Sequence, residues 1–332
     1  MNKGIVLIVT DKDEQSVPKV INHLQEIDQP FFRLDVGSFV ELQSKIITSI
    51  KSGVVAGYIQ SRDGKKSEFG DIKSVWFRKP KPFFVSENIS LVEKKFIESE
   101  FRSTLWSLYS CLDSAYWMNH PLYAQHLLEH NKLFQLKLAE ESGLIVPDTV
   151  ITNSSDQLIE FCENHGGFLA VKSVCSSIFQ EIDGVATGIY TNKVSTDYLK
   201  DHVGDIVLAP IMAQEYVPKK LEFRITIVGR NIFACAIHSQ DSERTKDDWR
   251  RYDFAKVKHE SYDLPLEIKT ALLKFMEVCQ ITFGAIDMIL TPEGKYVFLE
   301  VNPNGQYGWI EDLTNLPISK SIAETLVSGC EL

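Results

Sequence analysis

Two apolar stretches near the C-terminus, FGAIDMIL (Ile281 is two residues upstream; the run is Phe283 to Leu290) and KYVFLEVN (Lys295 to Asn302), are separated only by TPEG. That spacing constrains them to an antiparallel pair. Both read as buried strands, yet each carries a carboxylate. Asp287 has apolar neighbours on both sides, and Glu300 is followed two residues later by Asn302. Side chains alternate along a strand, so Glu300 and Asn302 share a face. A two-residue loop (Glu293-Gly294) sets Asp287 directly opposite Glu300, and a four-residue loop (Thr291 to Gly294) sets them on a diagonal. Either way, three oxygen-bearing side chains converge where Pro303-Asn304-Gly305 ends the strand. Two carboxylates that close repel, and one takes up a proton unless a cation lies between them. Mg²⁺ takes oxygen ligands and is often held by one or two carboxylates plus phosphates. A solvated strand tip explains any one of these acids; the shared phase of all three favours a metal site.

The rest of the chain is compatible with such a site. Its 332 residues suggest two or three packed modules, and 44% hydrophobic with 24% charged residues is ordinary for a globular protein. A net charge of −10 argues against nucleic acid as a partner. One local basic cluster exists at Arg244, Lys246, Arg250 and Arg251; it suits an acidic peptide about as well as a solvated loop. The six cysteines lie far apart with no C-x-x-C pair, as expected of free thiols in a reducing cytoplasm. The N-terminal GIVLIVT is followed at once by DKDE, unlike a signal peptide, and no apolar run is long enough to span a membrane.

Strand and helix patterns alternate over the first ~115 residues, which predicts an α/β module. IVLIVT, PFFRLDV and SVWFRKP read as strands, SVPKVINHLQEI and Leu91 to Leu112 as helices. A helix is predicted from Leu122 to Glu141, stopped by Gly143. FLAVKSV is a strand, followed by polar, glycine-containing sequence. LEFRITIV and NIFACAIHS form a hairpin around GRN, PLEIKTALLKFMEVC is an amphipathic helix, and ISKSIAETLVSG is the last one.

A divalent cation beside carboxylates calls for phosphate binders, yet neither G-x-x-x-x-G-K-[ST] nor G-x-G-x-x-G occurs. The candidates are Lys132, after EHN, and Lys172, inside FLAVKSV, where an ammonium is costly to bury without an anion. Glu222 and Arg224 lie two apart on one face of LEFRITIV. They are either a salt-bridged sheet pair or a guanidinium aimed at a phosphate, with Glu222 steadying it or meeting a ribose.

The ordered set Lys132, Lys172, QEYV (Gln214, Glu215, Tyr216, Val217), EFR, Asp287 and LEVNP resembles the ATP-grasp superfamily. NKLFQLKLAEESGLIVPDTVIT, DDWRRYD, GAIDMIL and FLEVNPNGQYGWIE are similar to microviridin-type (graspetide) peptide maturases, relatives of the ribosomal-protein glutamate ligases. SVWFRKP resembles that family's N-terminal Trp-x-Arg segment. The resemblance implies an α/β (α+β) ATP-grasp fold: a pre-ATP-grasp domain (1–118), a central subdomain (119–213) and a C-terminal subdomain with the metal site (214–332). It implies a cytoplasmic ligase that uses ATP and Mg²⁺ to activate a side-chain carboxylate of a ribosomal precursor peptide, leader plus acidic core. Closure by a hydroxyl or amine gives an ω-ester or ω-amide ring. Lys132 and Lys172 would bind phosphates, Gln214 to Val217 the adenine, and Asp287, Glu300 and Asn302 the Mg²⁺. Arg224 would face the acyl phosphate, oriented by Glu222. Leader contacts would fall between Ser176 and Lys200, and a homodimer is compatible with the family.

Two departures stand out: SVCSSIFQEIDGVATG lacks a dense glycine-rich loop, and Glu-x-Arg replaces the Asp-x-Arg of many relatives. Two rivals share most of these residues. One is an ATP-grasp ligase acting on a free amino acid, dipeptide or protein tail. The other is an ATP-binding regulatory module without turnover, whose mark would be a missing metal ligand or arginine.

Overall fold

The computed structural model describes all residues except 1–3, 38, 40–43, 82–88, 175–177, 181–185, 189, 252 and 331–332, and leaves out the side chains of 125–127, 178–180, 186–188 and 330. The chain divides into two compact units, Met1–Pro121 with Pro317–Leu332, and Leu122–Leu316.

In the first unit β1 (Ile5–Thr10) and β2 (Phe31–Asp35) pair in parallel. β3 (Lys45–Lys51), β4 (Val54–Gln60) and β5 (Lys66–Glu68) form a separate antiparallel sheet. β6 (Ile72–Phe77) and β7 (Tyr116–Met118) complete the parallel sheet, in the order β2-β1-β6-β7. Val6 to Val9 are fully buried, because helices cover both faces of a parallel sheet. Helix Val17–Glu26 starts with Pro18 in its first turn, and helix Leu91–Cys111 with a capping box of Ser90 and Glu93. The last helix, Ile318–Cys330, belongs to this unit and packs on helix Val17–Glu26, β1 and β6, although in sequence order it follows the metal-site strands. The β3–β4 pair went unread in the sequence. β3 is exposed along most of its length, so it lacks the half-buried alternation that betrays a strand.

The second unit holds two larger antiparallel sheets and a two-stranded one. β8 (Thr149–Thr152) and β9 (Phe168–Lys172) come first. β10 (Ile178–Gln180) and β11 (Ala186–Gly188) then pair only with each other. β12 (Asn192–Ser195) and β13 (Ile211–Glu215) complete the order β12-β9-β13-β8. Leu158, Cys162, Leu169 and Ala213 form its small core. The larger sheet contains β14 (Leu221–Val228), β15 (Asn231–Ile237), β16 (His259–Tyr262), β17 (Phe283–Leu290) and β18 (Tyr296–Asn302), ordered β16-β15-β14-β17-β18. β14 and β15 turn through the two residues Gly229-Arg230.

Phe223, Ile225 and Ile227 of β14, Ile286 and Met288 of β17 and Phe298 of β18 share one core with Phe275 and Met276 of helix Leu266–Val278. Burying each such side chain is worth about 1.5–3 kcal/mol. A one-residue slip would put Arg224 and Asp287 into that core, so the apolar set fixes the register and consigns Glu222, Arg224, Asp287, Glu300 and Asn302 to the other face.

The single helix expected from Leu122 to Glu141 is interrupted. The helix widens to π geometry over Ala124–Glu129, and helix Lys132–Glu141 starts afresh because the Asn131 side chain caps it by accepting from Phe134 N–H. The glycine-poor segment after Lys172 lies partly outside the described residues, as do 176–177, 181–185 and 189 of the region expected to meet a leader.

Candidate active site

The turn between β17 and β18 has neither two nor four residues but five, Thr291 to Lys295, with Leu290 opposite Tyr296. Continued regularly, that register would set Asp287 against Leu299. A bulge between Asp287 and Met288 inserts one residue on β18, and Asp287 faces Glu300 after all, with Asn302 opposite Ala285. Leu299 and Glu300 consequently both line the same cavity, which contains ≈ 820 Å³ of empty space between the two sheets of the second unit.

Lys132, Lys172, Gln214, Glu215, Tyr216, Val217, Glu222, Asp287 and Glu300 all line this cavity. Lys132 is the first residue of its helix, aimed by the Asn131 cap, and its Nζ lies 3.0 Å from Glu300 Oε2. Three residues on, Gln135 is buried between two elements: it donates to Leu128 O (2.7 Å) and accepts from Val301 N–H (2.9 Å). This ties the lysine's helix to the strand that bears Glu300. Lys172 ends β9, and burial pushes its ammonium down to about 8, opposed by Glu300. Burial alone would raise Glu300, but Lys132, Lys172 and Arg250 outweigh it and hold the carboxyl well below the usual range.

Arg224 and Asp287 lie directly opposite on β14 and β17 and form a two-pronged pair, Arg224 Nη1 standing 3.0 Å from each carboxylate oxygen. Arg224 Nη2 also donates to Gln306 O at 3.3 Å, and the guanidinium sits 5.9 Å from the Trp249 ring. Asp287 is raised by burial and by Glu300 opposite, against the pull of Arg224. Arg224 therefore reaches the cavity through Asp287 and is not part of its wall.

The expectation that Glu222 orients Arg224 is not met. Residues two apart on a strand face are separated by two strand rises, about 7 Å, whereas a cross-strand partner is about 5 Å away. Glu222 pairs instead with Lys219 (2.9 Å), which also donates to Asp247 O (2.8 Å). Burial raises the Glu222 carboxyl against the pull of Lys219 and Ser239, and its Oε2 has no hydrogen-bond partner among the described residues. Asn302 lies one step along the same face from Glu300 and outside the cavity wall; its Oδ1 accepts from Asn304 N–H at 2.9 Å. Among the described residues no three His, Cys, Asp or Glu side chains gather as a metal site. Two carboxylates and an amide would be the donors to a metal, and they fit Mg²⁺: Asp287 is buried and Glu300 half-buried, and the two are opposed and already balanced by cations. In the hinge, Gln214 Nε2 donates to Thr149 Oγ1 at 2.9 Å, and the Glu215 side chain accepts from Asp148 N–H at 3.3 Å.

The basic cluster does not form one patch. Arg244 is exposed, Lys246 pairs with Glu243, and Arg251 donates to Asn192 Oδ1 at 2.6 Å. Only Arg250 enters the site, held by Asp248 (Nη2 to Oδ2, 2.5 Å) and acting on Glu300 and Lys172. Arg250, Lys219 and Gln135 went unrecognised in the sequence. Trp249 among the charges of DDWRR was the one available signal, an aromatic out of place in a solvated loop; its ring lies 5.2 Å from that of Trp309, tilted by 34°.

Residues 5–124 match the MvdD pre-ATP-grasp domain family and residues 129–326 the RimK-like ATP-grasp domain family. A RiPP-associated ATP-grasp ligase from Chryseobacterium gregarium, solved in complex with ADP and a leader and core peptide, is 30% identical with a TM-score of 0.89, covering 98% of this chain and 97% of that one. The macrocyclase MdnC from Microcystis aeruginosa, solved with precursor peptide MdnA, is 29% identical with a TM-score of 0.84, over 98% and 99% of the two chains. The glutamate–LysW ligase ArgX of Sulfurisphaera tokodaii is 19% identical over 199 residues, 60% of this chain; the chain spans 66% of that relative's length. With its lysines, opposed carboxylates and hinge gathered on two antiparallel sheets behind a pre-ATP-grasp domain, the chain belongs to the RimK-like ATP-grasp family.

Proposed function

We propose that the protein is an ATP-dependent carboxylate ligase that closes rings within a ribosomally made precursor peptide. A side-chain carboxylate of an acidic core is activated as an acyl phosphate, and a hydroxyl or amine of the same peptide displaces phosphate, giving an ω-ester or ω-amide. The observation that carries this reading is the set of cations around one facing carboxylate pair: Lys132, Lys172 and Arg250 about Glu300, and Arg224 on Asp287. Two relatives solved with a leader and core peptide or with a precursor peptide support the choice of substrate.

A carboxylate attacking a polyphosphate meets like charge, and fixed cations offset it. Lys132 and Lys172 hold the phosphates, and the hinge Gln214 to Val217 holds adenine, partly through backbone groups. The unpartnered Glu222 Oε2 takes a ribose hydroxyl. Asp287, Glu300 and Asn302 hold Mg²⁺, whose charge screens the phosphates when it is bound. Arg224, kept in place by Asp287 and Gln306 O, lends its charge to the acyl phosphate from behind Asp287. No covalent nucleophile on the protein is needed. The described cysteines Cys111, Cys162, Cys235 and Cys279 are unpaired, in keeping with a reducing cytoplasm, and no described helix is long and apolar enough to cross a membrane.

Incubation with an acidic precursor peptide encoded nearby, ATP and Mg²⁺, followed by mass spectrometry, tests this. Loss of one water per ring, with ADP and phosphate formed, is expected, and Glu300→Gln should abolish it. An unchanged peptide mass despite measured ATP binding would overturn the reading.

A further inference from the structure

Five consecutive residues between β15 and β16, Asp247 to Arg251, each contact a different neighbour, and the first four of them line the cavity. The Asp247 carboxylate accepts from Tyr216 O–H of the hinge at 3.4 Å. Asp248 Oδ2 accepts from the backbone N–H of Thr191, next to β12, at 2.8 Å. Trp249 lies beside Arg224 and Trp309. Arg250 stands beside Glu300, and Arg251 reaches Asn192 of β12. The segment therefore straps the larger sheet to the edge strand of the smaller one across the cavity.

Asp248 is the centre of this strap. It is 4% exposed, and the same carboxylate that grips Thr191 also accepts from Arg250 N–H (3.0 Å), Nε (2.9 and 3.1 Å) and Nη2 (2.5 Å). One buried anion thus holds both the smaller sheet's edge and the guanidinium that acts on Glu300. We infer that Asp248 is a positioning residue that makes the placement of Arg250 conditional on β12 lying closed over the nucleotide. If β12 swings away, the carboxylate loses its fourth donor and is freer to turn, and Arg250 with it; with β12 in place the fork is locked. This rests on the ligase reading for the identity of what Arg250 faces, and on the geometry alone for the coupling. The plainer role for Asp248 is a local turn, since its Oδ1 caps the N–H of Arg250 two residues on.

Asparagine tests the charge. Asp248→Asn retains a single acceptor oxygen, for Thr191 N–H or for Arg250 N–H, and loses the charged fork to Arg250. Turnover should fall about 10²-fold, as for loss of one preorganised electrostatic group, with nucleotide affinity nearly unchanged. Asp248→Ala should lose as much turnover and also about tenfold in ATP–Mg²⁺ affinity, as for one lost charge-assisted hydrogen bond. Adding Arg250→Ala to Asp248→Ala should cost no further turnover. Independently of turnover, hydrogen exchange on the full chain should show the Thr191 amide protected by ATP–Mg²⁺ in the wild type and unprotected in Asp248→Ala. Full turnover in Asp248→Asn, multiplicative losses in the double variant, or equal protection of Thr191 in Asp248→Ala would each overturn the inference. A wild type that binds ATP but leaves every peptide unchanged would instead overturn the ligase reading, while the exchange data still decide the coupling.

Discussion

At the scale of single residues, the turn after β18 explains a glycine. A Cβ on Gly305 would stand 2.3 Å from Ala285 Cβ and 2.6 Å from Arg224 Nη2. The chain folds back so tightly there that only a bare backbone fits above the Arg224–Asp287 pair. Gly305→Ala should displace the guanidinium and lower turnover by about 10²-fold, with a stability loss of about 1–3 kcal/mol from overpacking. Kinetics and melting of the one variant check both. Lys172 supplies a pH test. Its folded pKa lies near 8, below the 10.5 of an ordinary lysine. Between these values the unfolded chain binds more protons, so this residue makes stability rise with pH across the window and makes it lower as pH falls through 8. Nucleotide affinity should move the other way, falling as the phosphate-facing charge is lost. Melting curves and ATP titrations from about pH 7 to 10, with Lys172→Met flattening both, check the opposed slopes.

At the scale of elements, the β18 bulge does more than restore a register. Removing Leu299 would leave a regular ladder in which Glu300 still opposes Asp287, since Leu290 already faces Tyr296. The inserted residue therefore adds an apolar wall to the cavity without moving the carboxylates. Deleting Leu299 should leave the fold intact and raise the ATP dissociation constant about tenfold, as for an apolar side chain lifted from a ligand. Circular dichroism and a nucleotide titration check it. The facing of Asp287 and Glu300 was legible from alternation, but the five-residue turn and its compensating bulge were not. Each is a local departure whose opposite sense leaves the hydrophobic pattern unchanged. The break before Lys132 was equally hidden, because Asn131 is read as a cap only once the preceding coil is seen to end.

At the scale of the whole molecule, every residue assigned to nucleotide lies in Leu122–Leu316. Ligand that binds only the folded form stabilises by about 2.7 kcal/mol at a hundredfold excess over its dissociation constant. A non-hydrolysable ATP analogue with Mg²⁺ should therefore raise one calorimetric transition, that of the second unit, and leave the first unit's in place. The chain's order along the sequence concealed that the first unit is closed by the last helix, Ile318–Cys330, since amphipathic spacing tells which face a helix buries and not against what.

The sequence by itself determined the strands that carry the acids, the face each acid occupies and the family, because these follow from local alternation and from ordered motifs. It determined Lys132, Lys172, Asp287 and Glu300 as neighbours in function before any contact was known. Only the tertiary structure decided which charges meet: Arg224 with Asp287 rather than Glu222, Lys219 with Glu222, and Arg250 drawn out of a basic run into the site. The reason is physical. Charge pairing is set by cross-strand and loop geometry at a few ångströms, and the linear order of residues leaves those distances open until the apolar core has fixed the sheets.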